Sequence, residues 1–124
     1  MRTADVMPAA MRRALVELLG DEVDDVELVE RSAYVRMHFG ARATTRRNRI
    51  LLAGSATEFF ADPEIVLHEY FHVLRQWNRG RMSVASYLAE WLKRGYFQNR
   101  YERQARRFAH LRRPAFEALL RHRP

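Results

Sequence analysis

Cysteine is absent from the 124 residues. That excludes disulfide staples and Cys-ligated metal sites, so any bound metal must rest on His and carboxylate donors. Lysine is nearly absent as well: Lys93 is the one lysine among 22 basic residues, a skew that GC-rich codon usage produces without selection for binding. Long apolar runs are also missing. The stretch that follows Arg2, Arg12 and Arg13 is interrupted by Glu17 and never reaches signal-peptide length. Nothing approaches membrane-spanning length. These absences lead us to expect a soluble chain without a membrane partner, cytoplasmic or exported without an amino-terminal signal. They leave oxidising and reducing compartments equally open.

What is present suffices for one packed core, since 48% of the residues are hydrophobic and the length suits a single domain spanning residues 1–124. The formal charge of +7 is uneven. Residues 1–39 carry 5 Arg against 8 acids, residues 40–92 carry 7 against 5, and residues 93–124 carry 10 bases against 2 acids. The excess therefore lies at the C-terminal end. Such a block reads first as a solvated basic face and next as a surface for an acidic partner; nucleic acid, which would show a steep salt dependence, ranks behind both.

Local signals order the chain. Pro8, apolar Met11, Ala14, Leu15, Leu18 and Leu19, then Gly20 predict an amphipathic opening helix within residues 1–25, followed by an acidic turn over 21–25. Residues 26–61 are expected to hold a small sheet. Val26 and Leu28 alternate with polar neighbours, residues 32–39 suggest a helical turn ending at Gly40, and residues 43–53 read as a hairpin around Arg46, Arg47, Asn48 and Arg49. Its second limb, 50–53, is the strongest strand candidate, and its edge is expected to be free for an extended peptide. Asp62 followed by Pro63 predicts a helix start, because the Asp side chain can accept from free amides and Pro has no amide to lose there. That helix should run to about Trp77, with Gly80 beyond. A second helix fits 83–94 with Gly95 as its stop, and a third fits 99–111. Pro114 is expected to open a final short basic helix within 112–124.

The first long helix carries His68, Glu69, Tyr70, Phe71 and His72. Residues four apart stand above one another on a helix, so both imidazoles can reach one ion, and Glu69, about 100° round, can hold water on it. On a helical wheel Val66, Leu67, Tyr70, Phe71, Val73, Leu74 and Trp77 cover one broad side. Ile65, His68, Glu69, His72 and Gln76 share the other, leaving only a strip near Glu64 and Arg75 for solvent. A helix so enclosed is central, and two buried imidazoles with a buried carboxylate need a charged partner. A metal ion is the expected one.

A zinc hydrolase uses three protein ligands and keeps a fourth position for water. Glu90, Glu102, His110, Glu117 and His122 lie downstream, and His38 lies upstream. Glu102 sits beside the apolar stripe Tyr101, Ala105, Phe108 and Ala109, which favours it. Yet Asn99 followed three residues later by Glu102 is equally a capping-box pattern, and Arg106 one turn on offers it an ion pair, so spacing alone leaves ligand and cap level.

The runs IVLHEYFHVLRQW (65–77), SVASYLAEWL (83–92) and QNRYERQARRFA (98–109), with GARATTRRNRILLA (40–53) before them, resemble the zincin-like metallopeptidase domain found in proteins associated with extracellular contractile injection systems. The resemblance covers about residues 26–109. In the pair Arg47 and Asn48, where relatives tend to have glycine and asparagine, it departs at Arg47, and in the pair Asn99 and Arg100, where Asn-Pro is common, it departs at Arg100. It implies an α+β zincin-like fold, with a short hairpin or sheet packed on a central HExxH helix and further helices after it. It also implies zinc on His68, His72 and Glu102, Glu69 as catalytic base, and a peptide or protein as substrate. A second donor to the developing oxyanion is expected from Tyr87, Tyr96, Tyr101 or His110, which the sequence does not rank.

Overall fold

The structure is a computed structural model that describes residues 1–36 and 42–121. Gly40 and the candidate ligands His38 and His122 lie outside the described residues. The fold is α+β, with a small sheet against a helical body, and the central helix is the one that carries the two histidines. No described helix is long and apolar enough to cross a membrane.

The opening region is richer than its one expected helix. A short helix α1 (Thr3–Val6) precedes α2 (Ala9–Leu19), and Pro8 caps α2 from outside rather than occupying its first turn. Met11, Ala14, Leu15 and Leu19 are buried along one face of α2. Gly20 follows at φ 97° and leads into a short 3₁₀ helix, Asp21–Asp25. Arg12 grips Asp24 through two hydrogen bonds of 2.7 and 2.6 Å, which holds that carboxyl below its ordinary range.

Strand β1 (Glu27–Val29) buries Leu28 between two exposed residues, as its alternation requires. A helical turn α3 (Ala33–Arg36) follows, then β2 (Ala43–Arg46) and β3 (Arg49–Leu52) form the expected hairpin. Asn48 sits in its turn at φ 57°, a left-handed conformation that Asn tolerates better than most residues. The strand order is β1-β3-β2, with β1 parallel and β2 antiparallel to β3. This corrects the expectation that the second limb of the hairpin has a free edge. Ile50 and Leu52 are both buried, which draws β3 to the middle of the sheet, where Leu28 and Thr45 flank Ile50 on either side. Among the described strands, β2 pairs on one edge only.

After α4 (Ala56–Phe60), the chain enters α5 (Pro63–Phe71) with Asp62 as its cap, accepting from the Ile65 amide, and Pro63 in the first turn. From His72 to Trp77 the same helix continues as a π-helix, with the Asn78 amide reaching back five residues to the Val73 carbonyl at 2.8 Å. The spacing gave no warning of that wider turn. Val66, Leu67, Tyr70, Val73 and Leu74 join the main core with Leu15, Leu28, Ile50 and Phe116. Full burial of each large aliphatic side chain is worth about 1.5–3 kcal/mol, enough to hold the helix while it carries polar residues inward.

Helix α6 (Val84–Gln98) begins at Ser83, which exchanges hydrogen bonds with Ser86 in a capping box. Gly95 breaks it as expected, at φ 78° and ψ −176°, but one more helical stretch follows before Asn99. The final region differs from expectation. Helix α7 runs unbroken over Arg100–Arg121 with Pro114 inside it. Buried Ala109 and Phe116 anchor the helix on both sides of the proline, and Arg113 pairs with Glu64 and Glu117. These contacts offset the amide that Pro lacks.

Candidate metal centre

Three side chains from two helices converge on one point. His68 and His72 come from the enclosed face of α5 and its π continuation, and Glu102 comes from the first turn of α7, the helix against which α5 packs most extensively. Glu102 Oε1 lies 2.9 Å from His68 Nε2 and 2.9 Å from His72 Nε2, while the two imidazole nitrogens are 3.1 Å apart. The histidine and glutamate side chains are between 4% and 16% exposed, so water screens the cluster little.

Outer contacts fix the protons. Gln76 Nε2 donates to the Tyr101 carbonyl at 3.1 Å and to Gln104 Oε1 at 3.0 Å, so Gln76 Oε1 is an acceptor. His72 Nδ1, 2.6 Å from that oxygen, must therefore carry a proton and donate it. A neutral His72 then points the lone pair of Nε2 at the Glu102 carboxylate oxygen, 2.9 Å away. Two acceptors face each other there, and a proton or a metal ion between them relieves the contact. A proton meets the need in the metal-free chain: burial alone would lower the His72 pKa, but the hydrogen bond and charge of Glu102, with Glu69 and Gln76, raise it. Burial would likewise raise Glu102, yet the two histidines hold it well below the usual carboxylate range.

A divalent metal meets the same need with every donor used. Ligands placed tetrahedrally at about 2.0–2.1 Å from one zinc ion stand roughly 3.3 Å apart, close to the separations here. The three donor atoms lie within 4.8 Å of one another and can hold a metal ion. Two imidazoles and a carboxylate form a donor set of borderline softness.

Glu102 is a site residue and a capped residue together. Asn99 Oδ1 accepts from the Tyr101 amide at 2.8 Å and the Glu102 amide at 3.4 Å, while the Glu102 carboxylate turns to the histidines. The Asn99 side chain thus supplies the helix cap, and the Glu102 carboxylate faces the histidines. The other candidates among the described residues are elsewhere. Glu90 accepts from the Arg100 amide and pairs with Arg94, Glu117 pairs with Arg113, and His110 is exposed on α7.

Glu69 is buried and makes no hydrogen bond among the described residues; burial raises its pKa, helped by the charge of Glu102 and opposed by the two histidines. Of the tyrosines weighed for oxyanion binding, Tyr87 is committed, its hydroxyl donating to Glu102 Oε2 at 3.1 Å. The Tyr101 hydroxyl accepts from Arg100 at 2.7 Å. Tyr96 is 53% exposed, and burial followed by the charges of Glu102 and Glu69 pushes its pKa up to about 12. Gln76 belongs to the polar sector of the helical wheel, where sequence reasoning assigns it no role; its signal is the four-residue step from His72, which stacks the two side chains on one helix face.

No protein of curated function and no solved structure matches the chain. Residues 6–80 match the family described as the eCIS core domain. The match spans His68, Glu69, His72 and Gln76 and ends before Tyr87 and Glu102. Because it covers more than half of the sequence, the chain belongs to the eCIS core domain family.

Proposed function

We propose that this domain is a zincin-like, zinc-dependent metallopeptidase in which His68, His72 and Glu102 hold the ion and Glu69 is the general base. The observation that carries the reading is the convergence of three donors with the His72 lone pair fixed inward by Gln76. A zinc ion held there supplies Lewis acidity, polarising a carbonyl oxygen and acidifying water. Glu69, next to His68 on the same enclosed face and without a competing hydrogen bond among the described residues, takes the proton from water and returns it to the departing amine. A further donor to the developing oxyanion is expected among the neighbouring tyrosines of α6 and α7. The substrate is a peptide or protein segment in extended form, lying along the singly paired strand β2 rather than β3.

The same donors would also fasten α5 to α7 in a non-catalytic scaffold, and Glu69→Gln separates the two readings. The amide fits the space but cannot accept the proton. The variant is expected to keep one equivalent of zinc while cleavage of a quenched fluorescent peptide library falls by about 10²–10⁴-fold. Equal cleavage by both proteins contradicts the role of Glu69. A zinc-loaded wild type that cleaves nothing supports the scaffold.

A further inference from the structure

We propose that Gln76 and Tyr87, which stand behind the ligands, set how the metal is held: Gln76 commits His72 to bind through Nε2, and Tyr87 commits Glu102 to bind through one oxygen. This rests on the metal-site reading above and specifies its coordination.

Gln76 is 1% exposed, and its amide is used at both ends. Its oxygen accepts from His72 Nδ1 and its nitrogen donates to the Tyr101 carbonyl and to Gln104 Oε1. Turning the amide over would set its oxygen against the Tyr101 carbonyl, which can only accept, so that contact fixes the orientation. A carboxylate at this position would meet the same carbonyl. The residue must therefore be neutral, with an acceptor on one side and a donor on the other, which among side chains of this length is glutamine. With Nδ1 occupied as a donor, only Nε2 of His72 remains for a metal.

Tyr87 acts on the other ligand. Glu102 has two oxygens: Oε1 lies between the histidines, and Oε2 accepts from the Tyr87 hydroxyl. The Tyr87 ring is stacked on Tyr101, with centroids 6.4 Å apart and planes 24° from parallel. The hydroxyl is thereby held in place, and Oε2 is withheld from the metal. Both props meet at Tyr101, Gln76 on its carbonyl and Tyr87 on its ring. The first turn of α7 thus carries one ligand and braces the partners of two.

Tyr87→Phe removes one oxygen and Gln76→Leu removes the amide at similar volume. The full chain is stripped of metal and titrated with zinc against a chromophoric chelator, its metal-free melting temperature is recorded, and the cobalt(II) form is examined by visible absorption. Each variant is expected to lose about 10–100-fold in zinc affinity, Tyr87→Phe with its metal-free melting temperature little changed and Gln76→Leu by more than its lowered metal-free stability accounts for. In Tyr87→Phe the freed Oε2 is expected to join the metal, raising the coordination number and weakening the cobalt d–d bands, while wild-type protein taken through the same stripping and reloading keeps them at full strength. Wild-type affinity and wild-type cobalt spectra in both variants would overturn the proposal while leaving the three-ligand site intact. An affinity loss that only follows a loss of metal-free stability would overturn it too. A wild type that binds no zinc would remove the site itself.

Discussion

Glu102 meets two demands with different atoms: its amide donates to the Asn99 cap, and its carboxylate faces His68 and His72. The HExxH residues were legible because a four-residue step fixes a shared helix face. Glu102 was not settled by spacing, because a cap pattern and a ligand position produce the same Asn-to-Glu interval. Gln76 is marked by its four-residue step from His72, but its contacts across to α7, like that of Tyr87 from α6 to Glu102, are encoded by no interval. The cluster also makes a pH prediction for the metal-free chain. His72 has a raised folded pKa, so its contribution to stability is present below the ordinary imidazole value of about 6.5 and is lost as pH rises through the raised value. Glu102 has a depressed pKa, so its contribution is present above the ordinary carboxylate range and is lost as pH falls through the depressed value. Metal-free protein should therefore be most stable in mild acid, between those limits, and soften above. Saturating zinc should remove the softening, because the ion then balances the lone pairs in place of the proton. Guanidinium unfolding across pH, with and without zinc, checks this; identical profiles would contradict it.

At the scale of elements, the sequence marked most starts and stops, because caps and breakers act locally. Asp62 and Pro63, Ser83 and Gly95 each do what their side chain or backbone freedom dictates. What it concealed was set by packing at a distance. Strand β3 became central because Ile50 and Leu52 are both buried, which a four-residue run does not disclose. Pro114 reads locally as a helix start, yet α7 passes through it because Ala109 and Phe116 are buried on either side. That difference is measurable. A proline inside a helix costs up to about 3 kcal/mol relative to alanine, whereas at a first turn it costs almost nothing. Pro114→Ala is expected to stabilise the protein by about 1–3 kcal/mol in guanidinium unfolding. No gain, or a loss, would mean that the helix begins again at Pro114.

On the scale of the whole molecule, the family match ends at residue 80, but the site is completed by α6 and α7 beyond it. The histidines alone offer two donors until α7 packs on α5, and a metal held by all three would join the matched region to the basic C-terminal helix. Binding of this kind stabilises the fold by mass action, about 2.7 kcal/mol at a free-metal concentration roughly a hundred times Kd. The central claim is that these three side chains form one metal site, and metal analysis tests it most directly. Protein purified without added zinc is compared with His72→Ala, Glu102→Ala and Asn99→Ala after equal equilibration with zinc and removal of the excess. The account predicts one zinc per chain in the wild type, nearly none in His72→Ala and Glu102→Ala, and a full equivalent in Asn99→Ala, which loses only a cap worth about 1 kcal/mol. A wild type without metal, or a full equivalent retained by both ligand variants, would contradict it.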